Sequence, residues 1–121
     1  MILETLTQAF TVCKPLTAKD IDMDIPFCFA ARTDGELSLV CPTECTPAHT
    51  TAREDGWRAF RVAGSMAFSL VGILARLTGT LAQRGIPVFA VSTFDTDYVL
   101  VKADRFSDAR EALAAEGYDM H

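Results

Sequence analysis

Positive charge, long apolar runs and histidine are all scarce in this sequence, and each scarcity removes a class of function. Lys and Arg number 11 against 16 Asp and Glu, a net charge of −5 with a pI of about 4.8. A nucleic-acid backbone or an anionic membrane surface needs a basic face, so neither is an expected partner. The longest apolar stretch, within 66–75, is interrupted by Ser69 and Gly72, far short of the ~20 residues of a membrane-spanning helix. The opening MILETLTQAF has no basic region and carries Glu4, so it does not read as a signal peptide. Only His49 and His121 offer a general base with an ordinary titration near neutral pH. No Gly-x-Ser-x-Gly, no phosphate-cradling Gly-x4-Gly-Lys and no dinucleotide fingerprint occurs, and no catalytic residue is expected.

Cysteine is present but not in a useful pattern. Cys13 in TVCKPL and Cys28 in PFCFA sit in apolar, strand-like contexts where a reduced, buried thiol is the usual occupant. Without an export signal all four cysteines are read as reduced and the chain as cytoplasmic. Cys41, Cys45 and His49 stand at Cys-x3-Cys-x3-His, but a structural zinc site wants a fourth ligand, and Pro42 and Pro47 break any helix that would align the three. Asp20, Asp22 and Asp24 imitate the start of a calcium loop. Its sixth and twelfth positions here are Ile25 and Ala31 instead of Gly and Glu, so the match fails. No metal and no cofactor is expected.

What remains is a folding sequence. The chain has 121 residues, half of them hydrophobic, enough for one compact domain or two small subdomains sharing a core. Residues 9–16 read as a strand ended by Pro15, and the acidic 17–26 as a connection or one helical turn. Strands at 27–31 and 37–41 flank Thr33-Asp34-Gly35, a hairpin turn signature. Residues 42–56, with two prolines and many small polar residues, read as a loop and as the boundary between halves 1–56 and 57–121. A strand follows at 57–62, then a turn at Ala63-Gly64-Ser65 and a helix over 69–84. In that helix Leu70, Leu74, Leu77 and Leu81 form one apolar stripe, and Gly85 is its stop. Val88–Val91 is apolar on both faces, as an interior strand should be. The polar Ser92–Asp97 loop, a strand at 98–101, a helix at 106–116 stopped by Gly117, and a stub of strand complete the chain.

From residue 57 the order is β-α-β-β-α-(β), a ferredoxin-like α+β unit with both helices on one face of an antiparallel sheet. The residues GILARL followed by LAQRGIPVFAVSTFDTDYVLV resemble the ACT domains. Within them they look like the small tandem-ACT proteins related to the cytosolic arginine sensors and to the regulatory ends of aspartate kinases. STFDTDYVLVK is the most specific part, supported by GILA and the upstream GW. The likeness is strong over 57–117 and thinner over 9–56, where ELSLVCP and GWRAFRV carry it and the first half reads as a reduced ACT-like unit without helices.

The resemblance implies a non-catalytic regulatory protein that binds an amino acid or similar small metabolite, with units paired within a chain and between chains as a homodimer or higher homo-oligomer. It implies ligand contacts at the helix start, Ser69, Leu70, Val71 and Gly72, and at the strand-to-strand loop, Thr93, Phe94, Asp95, Thr96 and Asp97. Physics supports each half: a helix N-terminus suits a carboxylate, and Asp95 or Asp97 suits an ammonium or basic group. Structural roles fit the same residues. The aspartates favour turns, Ser69 suits a helix N-cap, Gly72 suits close helix–sheet packing, and Phe94 suits an interface. A structural or protein-interaction module with a vestigial site is therefore the alternative reading.

Overall fold

The computed structural model describes residues 1–63 and 72–121. In chain order the elements are β1 (Ile2–Thr5), β2 (Phe10–Pro15), β3 (Phe29–Arg32), β4 (Leu37–Pro42), β5 (Thr50–Val62), α1 (Ile73–Gln83), β6 (Phe89–Ser92), β7 (Asp97–Lys102), α2 (Phe106–Ala115) and β8 (Asp119–Met120). They form two compact units: Gln8–Trp57, and Met1–Thr7 together with Arg58–His121. The first seven residues thus group with the second half of the sequence.

In the larger unit the strand order is β8-β1-β5-β7-β6. Phe60 and Val62 of β5, and Val99 and Val101 of β7, alternate with their neighbours and so share one face. They meet Ile73, Leu77 and Leu81 of α1 and Ala109, Ala112 and Leu113 of α2 in a single buried cluster that also holds Leu3. Both helices therefore lie on one face of the sheet, giving the ferredoxin-like βαββαβ arrangement. The sheet is mixed: β1 runs antiparallel to β5 but parallel to β8. That parallel pair departs from the wholly antiparallel sheet expected, because the short β8 pairs with the N-terminal strand, which lies between it and β5.

Both helices end by the same device. Gly85 is left-handed at φ +68° and its N–H donates to Ala82, while Ile86 N–H donates to Leu81. At the end of α2, Gly117 is at φ +99°, its N–H donates to Ala114, and Tyr118 N–H donates to Leu113. Each is the paired bond of a Schellman stop, which satisfies carbonyls that the helix leaves without partners.

Other expectations are corrected. The start of α1 is Ile73 with Gly72 as its N-cap, not Ser69, so the apolar stripe is Ile73, Leu77 and Leu81, with Leu74 partly buried beside it. Ser69, Leu70, Val71 and the turn at Gly64-Ser65 lie outside the described residues. Val88–Val91 is not an interior strand. Among the described residues β6 bonds to β7 alone, and Ala90 and Ser92 are exposed while Phe89 and Val91 are half-buried.

In the smaller unit the order is β3-β4-β2-β5, with Cys13, Leu39 and Cys41 at the centre of an apolar cluster. Here β5 begins at Thr50, inside the stretch read as loop. Its residues 50–56 are mostly exposed, so no apolar alternation marks them as strand, yet they pair with β2. Phe10 faces Trp57 but Val12 faces Glu54, so β5 carries one extra residue there. Gly56 in that bulge is left-handed at φ +85°, a conformation that costs a glycine little.

Candidate functional site

The polar loop between β6 and β7 closes on itself. Ser92 ends β6 and Asp97 opens β7 as a facing pair, leaving Thr93-Phe94-Asp95-Thr96 as the turn. Thr93 N–H donates to the Thr96 carbonyl at 2.8 Å, and the Thr93 hydroxyl donates to the same oxygen at 3.1 Å. Ser92 Oγ donates to Asp97 Oδ1 at 2.6 Å, and Thr96 Oγ1 donates to the Val62 carbonyl at 2.8 Å. Thr96 and Asp97 are both only 7% exposed.

The five loop residues therefore divide into two groups. Thr96 and Asp97 turn inward and hold the hairpin to its own strand and to β5. Phe94, at 82% exposure, and the exposed Thr93 and Asp95 form the outer tip. Loop polarity alone did not show which aspartate faced out. The strand alternation that begins at Asp97, with Val99 and Val101 buried, was the available signal.

The other half of the expected site is represented by Gly72, exposed and left-handed at φ +79°. Its carbonyl accepts the Arg76 N–H at 2.9 Å, closing the first turn of α1. Gly72 has no side chain to cap that turn, and the turn contains no acidic residue. The positive end of the helix dipole is thus not neutralised by its own first turn.

The two cationic side chains that β5 contributes to the larger unit, Arg58 and Arg61, are engaged within it. Arg61 Nη2 lies 2.9 Å from Glu4 Oε2, and Arg58 sits over the Phe106 ring at 4.2 Å while donating to the Leu6 carbonyl. Among the described residues no three His, Cys, Asp or Glu side chains come together as a metal site. No helix among them is long and apolar enough to cross a membrane. The four cysteines carry free thiols. Burial pushes the Cys13 and Cys28 thiols up from their ordinary range and Cys41 up to about 11, away from the thiolate form that a nucleophile needs.

Residues 52–115, which contain this hairpin and both helices, match the ACT domain family. The chain belongs to the ACT domain family. Among curated ACT relatives, the human protein named cytosolic arginine sensor for mTORC1 subunit 1 is 34% identical over 96 residues, 74% of this chain and 29% of that protein. Its rat counterpart is 30% identical over 90 residues, 69% of this chain and 27% of that one. The chain thus spans under a third of the length of these relatives. A solved structure from Agobacterium tumefaciens superposes with a TM-score of 0.84 at 29% identity, covering 98% of this chain and 90% of that one. The aspartate kinase of Clostridium acetobutylicum superposes with a TM-score of 0.61 at 14% identity, covering 89% of this chain and 32% of that one, a likeness of fold. The chain is an ACT module with distant similarity to an arginine sensor.

Proposed function

We propose that this protein is a non-catalytic, cytoplasmic regulatory protein that binds an amino acid where ACT units of two copies meet. The observation that carries the reading is the divided hairpin: an exposed carboxylate, Asp95, and an exposed ring, Phe94, held outward by inward-facing Thr96 and Asp97. Membership of the ACT family and similarity to proteins named arginine sensors support an amino acid as ligand. The start of α1, with Gly72 as its N-cap, supplies N–H groups and positive dipole for a carboxylate, and Asp95 takes the ammonium or a basic side chain. Thr93 and Phe94 wall the site. Thr96 and Asp97 act on it by holding the turn.

Thermal-shift measurements against the twenty amino acids, followed by titration calorimetry, test this. One or two ligands should raise the midpoint saturably, since a ligand at 100 times its Kd adds ~2.7 kcal/mol to stability. Asp95→Ala should weaken binding about tenfold or more, ~1.4 kcal/mol, with its unliganded midpoint unchanged. Equal affinity in Asp95→Ala would remove that carboxylate from the site. The exposure of Phe94 favours a second reading, an interaction module. In that case no amino acid shifts the midpoint and Phe94→Ala converts the assembly to monomer by light scattering.

A further inference from the structure

A cleft in the larger unit lies between α1 and the segment after α2, with no residue of the β6–β7 hairpin in its walls. Its volume is about 540 Å³, and its walls include Arg76, Gly79 and Gln83 of α1, and Glu116 and Tyr118 beyond α2. Arg76, Gly79 and Gln83 fall at i, i+3 and i+7, one face of the helix. The volume is that of a small-molecule site, for which ~300–1,000 Å³ is usual.

Two features show that the cleft is more than a gap between helices. Gly79 lies in the interior of α1, where glycine costs about 1 kcal/mol relative to alanine. Yet a Cβ placed there would meet nothing within 4 Å, so packing within the chain does not demand glycine. Its missing side chain leaves part of the cleft open. The cleft is also bipolar. Arg76 brings a guanidinium to one wall. Glu116 brings a carboxylate to the other, at the end of α2, whose last turn carries no basic residue and whose dipole is negative there. The Gln83 amide adds both a donor and an acceptor.

We propose that this cleft is a second ligand site for a compact zwitterion, its carboxylate on Arg76 and its ammonium on Glu116. The site is independent of the hairpin reading and stands or falls apart from it. The test is amide chemical-shift mapping of the full chain, titrated singly with each of the twenty amino acids and with taurine at millimolar concentration. At least one probe should move the amides of residues 76–83 and 116–118 saturably. Arg76→Gln should weaken that response tenfold or more, and Gly79→Leu should abolish it. Gly79→Ala should raise the thermal midpoint, a folding control for the position. Asp95→Ala should leave the cleft response intact. The proposal is overturned if no probe moves these amides. Shifts confined to residues 93–97, or cleft shifts that follow protein concentration alone, as pairing with a second copy would produce, overturn it equally.

Discussion

Two aspartates two residues apart illustrate how much a single position decides. Asp95 is exposed and Asp97 is buried against Ser92, with 2.6 Å between the hydroxyl oxygen and the carboxylate. Asp97→Ala leaves the Ser92 hydroxyl without that acceptor and should cost ~1–3 kcal/mol, seen as a lowered urea midpoint. Asp95→Ala should stay within ~0.5 kcal/mol of the parent. Cys41 makes a pH-dependent contribution of its own. Burial raises its thiol to about 11 from 9.0, and the Thr46 hydroxyl only partly opposes this. The unfolded chain therefore loses that proton first. Below pH 9 the contribution is complete, and it is lost as pH rises through 11, an amount on the order of 2–3 kcal/mol. Cys41→Ala should show a shallower loss of stability across that window than the parent, measured by denaturation at stepped pH. A parallel slope in the two proteins would assign the loss to other groups.

Elements differ in how plainly the chain announces them. The helix stops were legible because only glycine takes the left-handed turn cheaply, and both Gly85 and Gly117 stand after the last apolar position. Gly85→Ala should cost ~1 kcal/mol by forcing a Cβ into φ +68°, while the exposed Ala82→Ser should cost ~0.5 kcal/mol or less. Thermal midpoints of the two variants check the difference. The helix start was not legible. Ser69 has the chemistry of an N-cap, but Gly72 holds that place, and nothing in a glycine advertises a start. The first half of β5 was equally hidden, since strand pairing is made by the backbone and its exposed side chains follow no apolar period. Four apolar residues suggested an interior strand at β6, yet half-burial of Phe89 and Val91 is enough to explain them. Of the expected site, the hairpin was legible as a polar interruption between apolar runs. Its inner and outer members were missed because a strand read from residue 98 stops one short of Asp97, so the alternation that turns Asp97 inward was not carried back to it.

At the scale of the molecule the two units share a hairpin. β3 and β4 repeat β6 and β7 with the same lengths and spacing, each followed by a three-residue helical turn, at Thr43–Cys45 and Ala103–Arg105. Thr33 N–H donates to the Glu36 carbonyl as Thr93 does to Thr96. Phe29-Ala30 and Thr33 correspond to Phe89-Ala90 and Thr93. The smaller unit carries this motif without long helices. The larger unit also depends on β1, whose Leu3 is fully buried in its core. Leu3→Ala should cost ~2–5 kcal/mol, measured as a loss in denaturant midpoint.

The pairing of Ile2 with Asp119 and of Leu3 with Met120 has a bearing on how the fold forms. It joins two strands far apart in sequence, so it closes a long loop whose entropy cost must be met before the contact returns anything. β5 and the two helices have to bring β1 and β8 together first, which makes this pair a late contact in folding. Its amides should exchange with solvent sooner than those of β5.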